Sequence, residues 1–158
     1  AVVGVADGAA WAAVGGGAEG VTGMNDEVAR VATDTYQMAL VPMEPFGKDR
    51  PRVTANGTYM PREYQAARRA LRVAFGEVTV RPPWIVRVTA VRRMPASWSR
   101  KKRAEMNGRW CLTKPDVDNI VAGVLDALFE EDSAVVSVSG MKVWGAAYRL
   151  KVEVWEAR

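Results

Sequence analysis

A chain of 158 residues with 49% hydrophobic and 25% charged side chains has the size and balance of one compact domain. No run in it approaches the roughly 18 apolar residues that cross a bilayer. The single cysteine, Cys111, excludes an intrachain disulfide, and the absence of histidine excludes the common zinc sites and every imidazole-based triad. Chemistry is left to carboxylates, lysine, hydroxyls or a bound hard metal.

The net charge of +4 is unevenly distributed. Residues 1–47 hold one base and six acids, residues 48–115 hold seventeen bases and four acids (net +13), and residues 116–158 hold four bases and eight acids. Such a middle block suits a polyanion, because each Lys or Arg set against a phosphate releases a condensed counterion. A merely solvated basic surface gives the same count.

In chain order, residues 1–23 contain seven glycines, no Lys or Arg and no sustained period. They are expected to be a mobile extension without the basic start of a secretory signal, leaving 24–158 as a single domain. "YQMALVP", residues 36–42, is short, apolar and closed by proline, which predicts a strand. The stretch 43–61 is rich in Pro, Gly and Asn-Gly and predicts a turn-rich loop carrying Lys48, Arg50 and Arg52.

"REYQAARRALRVAF" then aligns Tyr64, Ala67, Leu71 and Phe75 on one helical face and leaves Arg62, Arg68, Arg69 and Arg72 outside it. "WIVRVTAVRR", residues 84–93, is β-branched and bounded by prolines, so a strand is expected. A short basic helix with Arg100, Lys101, Lys102 and Arg103 follows, capped by Ser97 or Ser99 and ending near Asn107 and Gly108. "DVDNIVAGVLDALFEED" places Ile120, Val121, Val124, Leu125 and Leu128 at core-facing helical spacing, with Asp118, Ala122 and Asp126 on another face. Two strands, "AVVSVSGMKVWG" and "YRLKVEVWE", joined by a tight turn at 145–147, complete the chain. The order β-α-β-α-α-β-β predicts an α+β domain with helices packed on a small mixed sheet.

Asp118 at the start of a helix is favourable beside the dipole and is explained as an N-cap or first-turn residue. Asp116, and Glu130, Glu131 and Asp132 beyond the helix, are not, since acids are disfavoured at a helix C-terminus. Gathered together, such carboxylates need a cation or raised pKa values, and an all-oxygen set suits Mg²⁺ or Mn²⁺. A lone Asp-x-Asp is more often a cap plus a solvated charge.

"KPDVDN", then "VLDAL", then "EDSAVV", in that order, resemble the signature of RusA-type Holliday junction resolvases. "KDRPRVTANGTYMPREY", "MPASWSRKKRAEM" and "KVWG" resemble segments of phage and prophage members, and the likeness runs from about Tyr36 to Trp155. The resemblance implies a homodimeric, Mg²⁺-dependent endonuclease, cytoplasmic in a bacterial or phage-infected cell, that cuts opposing strands of four-way DNA junctions in recombination and repair. By position, the family's metal-binding, catalytic aspartates fall on Asp116, Asp118 and Asp132. Asp126 and Glu131 are further candidates, Asp126 equally as a partner of a neighbour or of an arginine across the dimer.

The chain departs from the family pattern at Ala122, where a lysine is usual. Either Lys114 or Lys142 approaches the site in its place, or the alanine marks an inactivating change or a slow, binding-competent nuclease, while Ala122 and Gly123 are also small enough to let another helix pack closely. Lys48, Arg50, Arg52, Arg68, Arg69, Arg72, Arg100, Lys101, Lys102 and Arg103 are the expected phosphate-binding residues. A branched-DNA-binding protein without cleavage, or a different metal-dependent nuclease or phosphatase, would use much of the same set.

Overall fold

The computed structural model describes residues 27–158. The extension expected over 1–23 lies outside the described residues. The elements are β1 (Ala29–Ala32), β2 (Tyr36–Val41), β3 (Arg52–Thr54), β4 (Gly57–Tyr59), α1 (Arg62–Phe75), β5 (Trp84–Arg93), α2 (Arg100–Met106), α3 (Val117–Leu128), β6 (Val135–Gly145) and β7 (Arg149–Glu156). The main sheet has the order β1-β2-β7-β5-β6, while β3 and β4 form a separate two-stranded hairpin. Among the described residues, no helix is long and apolar enough to cross a membrane.

The expected mixed sheet with packed helices is present, and the core explains it. Val86, Val88 and Ala90 of β5 and Leu150, Val152 and Val154 of β7 are buried on one face of the sheet, against Leu71 and Phe75 of α1 and Ile120, Val124 and Leu128 of α3. The alternating residues of the other face are partly polar: Tyr36 donates to Glu153 at 2.9 Å, Lys151 pairs with Glu153 at 3.0 Å, and Arg87 lies over the Trp155 ring. A second, smaller core of Met94, Cys111 and Trp144 packs with Trp98 and Met106 of the α2 region. Of the two serines expected to cap α2, Ser99 does so, its Oγ accepting from the Lys102 amide at 3.2 Å.

Two features differ from expectation. β6 and β7 are consecutive but not paired, because β5 lies between them, parallel to β6 and antiparallel to β7. A parallel neighbour requires a crossover, and the stretch containing α2 and α3 supplies it. β6 is thereby set on one side of β5, and the short connection at 146–148 passes to the strand on the other. The second difference is at the N-terminal side, where β1 and the β3–β4 hairpin were not anticipated. Strands of four and three residues are too short to display an alternating pattern. The turn at Ala55 and Asn56, followed by Gly57 at φ +122°, is the local feature that marks the hairpin.

Candidate active site

Pro115 precedes α3, and Asp116 takes the N-cap position with extended backbone (φ −70°, ψ 150°), its carbonyl accepting from the Ile120 amide at 3.0 Å. Asp118 is therefore not the cap but a first-turn residue. The Asp116 carboxylate makes no capping hydrogen bond; it accepts from the Lys114 ammonium instead. Both aspartates are exposed at the positive end of the helix dipole. The Lys114 hydrogen bond, reinforced by the charges of Lys114 and Lys142, holds the Asp116 carboxyl below its ordinary pKa.

Lys142 reaches this corner from β6. Its Nζ donates to the carbonyls of Thr113 at 2.6 Å and Pro115 at 2.8 Å, so it anchors the segment that delivers Asp116. Lys114 and Lys142 thus have different contacts here: one touches the Asp116 carboxylate and the other fixes the backbone before it. An open groove of about 620 Å³ adjoins Asp116, with Glu44, Asp49, Glu63 and Arg92 among its lining residues. Arg92 pairs with Glu44 at 3.0 Å across this groove region.

The floor of the groove depends on close packing. The Lys48 amide donates to the Asn119 carbonyl at 2.9 Å. A Cβ on Gly123 would meet Phe46 at 3.1 Å and the Lys48 nitrogen at 3.2 Å, and one on Gly47 would meet the Asn119 side chain at 2.5 Å. Gly123 therefore admits a close neighbour as anticipated, but that neighbour is the loop around Phe46–Lys48 rather than another helix.

Asp126 belongs to a different environment, two turns further along α3. The Tyr64 hydroxyl donates to its carboxylate at 2.6 Å, Arg68 Nε lies 3.1 Å from it without hydrogen-bond alignment, and Lys48 Nζ is 3.8 Å away. Arg68 Nη2 also donates to the Asp126 backbone carbonyl at 2.8 Å. Burial first, and then the hydrogen bond to Asp126 and its charge, raises the Tyr64 pKa well above that of a free tyrosine. Asp126 thus ties α1 to α3 within one chain.

Glu131 and Asp132 are exposed beyond the opposite end of α3, where the Asp132 carbonyl accepts from the Val135 amide at 2.9 Å. The 12 residues of α3 span about 18 Å. β6 runs back along the helix, since a Cβ on Gly140 would touch Val117 and Val121. Asp132 is consequently kept away from Asp116 and Asp118 in the same chain. Among the described residues, no three Asp, Glu or Cys side chains are grouped closely enough to hold a metal ion.

The basic residues divide similarly. Arg50 and Arg52 are exposed beside and within the hairpin, Arg69 is exposed on α1, and Arg100, Lys101 and Lys102 are exposed on α2. Lys48 is half-exposed toward Asp126, and Arg72 reaches Glu130 at 3.4 Å. Arg68 is committed to Asp126, and Arg103 to the carbonyls of Pro95 and Ala96. Asn119 and Arg92 were not singled out from sequence, and Tyr64 only as part of a helical face. Asn119 lies inside "KPDVDN" and so was accessible to inspection, whereas Tyr64 and Arg92 carry no local signal of their role.

Two exposed carboxylates at a helix N-terminus thus lie near two lysines, in a chain with many exposed arginines. Residues 42–155 match the family profile of endodeoxyribonuclease RusA, and the chain belongs to that family of DNA-cleaving enzymes. It is also similar to the uncharacterized protein YqaN of Bacillus subtilis (strain 168), with 36% identity over 88 residues. That similarity covers 51% of this chain and 62% of YqaN, so the chain spans less than two thirds of that relative.

Proposed function

We propose that this protein is a Mg²⁺-dependent endonuclease, with Mn²⁺ as a substitute, that binds four-way DNA junctions as a homodimer and hydrolyses opposed strands in recombination and repair. The observation that carries the reading is the exposed Asp116 and Asp118 at the start of α3, with Lys114 on Asp116 and Lys142 holding the segment before it, in a chain of this nuclease family. Two aspartate carboxylates fit a hard cation of this kind, which commonly takes one or two carboxylates and keeps several waters. Such a metal, when bound, polarises the scissile phosphate and activates water.

The protein's own groups do the remaining work. Asp116 and Asp118 present the donor oxygens, Lys142 holds the segment bearing Asp116, and Lys114 supplies positive charge that can turn from Asp116 toward a phosphate oxygen. Arg50, Arg52, Arg69, Lys101 and Lys102 hold phosphates and position the duplex arms without reading sequence. Asp132 joins the set from a second copy, because α3 separates it from the pair in its own chain. The test is labelled four-way junction with and without Mg²⁺: symmetric nicks in opposed strands only with the metal support the proposal, and cleavage in chelator or none in either metal rejects it.

Ala122 favours one alternative, a junction-binding protein of weak or no activity, because it puts a half-buried methyl where the family resemblance implies an ammonium. Metal-independent junction binding with no nicks in Mg²⁺ or Mn²⁺ would select that reading.

A further inference from the structure

Residues 94–114 connect β5 to the segment before α3 and hold six bases and one acid. Their two tryptophans are used differently. Trp98 packs edge-on against Trp144, with ring centroids 5.1 Å apart, and the Lys102 ammonium lies 4.5 Å from the Trp98 centroid. Trp84 and Trp155 likewise pack against Phe129 and Tyr36. Trp110 has no aromatic or cationic neighbour of this kind among the described residues; it is 59% exposed, and Leu112 two residues on is 91% exposed.

This exposure is built into the backbone. Residues 108–111 run antiparallel along the end of β6: the Gly108 amide donates to the Trp144 carbonyl at 2.8 Å, the Trp144 amide to the Arg109 carbonyl at 2.9 Å and the Cys111 amide to the Lys142 carbonyl at 3.0 Å, so that Trp110 lies opposite Val143. Extended backbone sends successive side chains to opposite sides. Cys111 is buried in the smaller core and its Sγ lies 3.2 Å from the Thr113 hydroxyl, which turns Trp110 and Leu112 outward together. The same end of β6 fixes the aspartate corner, since Lys142 holds the carbonyls of Thr113 and Pro115. Leu112 is four residues from Asp116, at most about 14 Å of chain. Arg100, Lys101, Lys102, Arg109 and Lys114 are exposed in the same stretch.

We propose that Trp110, with Leu112 beside it, is a stacking platform for an unpaired nucleobase of the bound DNA, close to the strand whose phosphate reaches Asp116 and Asp118. This rests on the DNA-cleaving reading above and adds a base contact to it. An indole face gains most from a flat apolar partner, and every base offers one once it leaves its stack. An intact duplex keeps its bases inside and turns phosphates outward, so an exposed indole finds its partner only where bases are splayed out. The surrounding Lys and Arg side chains supply the charge that the flanking phosphates need. Because the backbone on both sides of Trp110 is already tied to β6, little ordering is left to be done on binding. A branch point is where paired strands part, so a platform here favours branched DNA over linear duplex through stacking, without reading sequence.

The experiment uses the full chain in chelator, so that binding is read without cleavage, on a four-way junction carrying 2-aminopurine at the branch, on a linear duplex and on oligo(dT). Wild type should change the 2-aminopurine fluorescence and cross-link photochemically through Trp110 to 5-bromouracil placed at the branch. Trp110→Ala should lose the fluorescence change and bind oligo(dT) about tenfold more weakly, the order expected for one stacked base, while duplex binding stays at the wild-type level. Trp110→Phe should recover most of both, and the variants should match wild type by circular dichroism. Equal binding by wild type and Trp110→Ala, an equal loss on duplex and oligo(dT), or cross-links that avoid residues 108–112 would overturn the proposal, and the cross-links decide it even if Trp110→Ala fails to fold. A change of oligomeric state in Trp110→Ala by light scattering would also overturn it, assigning the indole to a contact between copies. Stacking without nicks once Mg²⁺ is added leaves the platform standing and rejects the nuclease reading, whereas symmetric nicking with no role for Trp110 does the reverse.

Discussion

Asp118 and Asp126 lie on the same helix, eight residues apart, and have opposite surroundings. Asp126 is enclosed by Tyr64, Arg68 and Lys48 and receives a hydrogen bond of 2.6 Å. Asp118 is exposed in the first turn, beside an N-cap aspartate whose own carboxylate does not close the helix. The difference separates two uses of negative charge: one aspartate satisfies buried donors and joins two helices, and the other is left available to something outside the chain. Both sit within the motifs that carry the family resemblance, so motif membership alone does not distinguish them.

The contrast is open to direct attack, beginning at the exposed end. If Asp118 helps to hold a metal as proposed, Asp118→Asn should lower junction cleavage by about 10³-fold or more, because such a charge is worth several kcal/mol to the transition state. Gel-shift binding and the melting temperature should be unchanged, and a variant cutting at the wild-type rate would remove Asp118 from the site. Asp126→Ala should behave inversely, costing about 1–3 kcal/mol of stability because Tyr64 and Arg68 lose their acceptor, while folded protein still cuts. Denaturant unfolding beside a cleavage assay on the same sample separates the two effects.

Tyr64→Phe gives a milder version, about 1 kcal/mol. The raised Tyr64 pKa means that the hydroxyl's contribution is complete below tyrosine's ordinary value near 10 and is lost as the pH climbs through the higher folded value. Wild-type stability should thus fall more steeply above about pH 10 than that of Tyr64→Phe; parallel curves would contradict the assignment. Ala122→Lys should fold normally and cut faster by supplying an ammonium one turn from Asp118, and unchanged turnover with intact binding would reject that role. The smallest effect is expected at Arg52→Ala, which should weaken junction binding at all sequences alike and reduce the salt slope by about one.

Much of this arrangement was legible in the sequence wherever a local rule applied. The proline-bounded β5, a serine cap on α2 left open between Ser97 and Ser99, and the buried stripe Ile120, Val124 and Leu128 each follow from spacing within one element. The insertion of β5 between β6 and β7 was not legible, since a short turn between two strands looks the same whether they pair or straddle a third. For Asp126 an arginine partner was among the expectations, but not that Arg68 and Tyr64 of the same chain, about 60 residues away, supply the contacts. Asp132 shows the limit most clearly. The family resemblance put it in one site with Asp116 and Asp118, but within the chain a helix of about 18 Å lies between them.

That separation makes one measurement especially direct. Asp118→Asn and Asp132→Asn, each inactive alone, are mixed under conditions that exchange subunits, and junction nicking is measured in Mg²⁺. If each site takes Asp118 from one copy and Asp132 from the other, random mixing leaves one intact site in half of the dimers and restores about a quarter of the wild-type sites. Nicking that reappears at about this level is the predicted result. No recovery despite proven subunit exchange, or full activity of either variant by itself, would contradict the account.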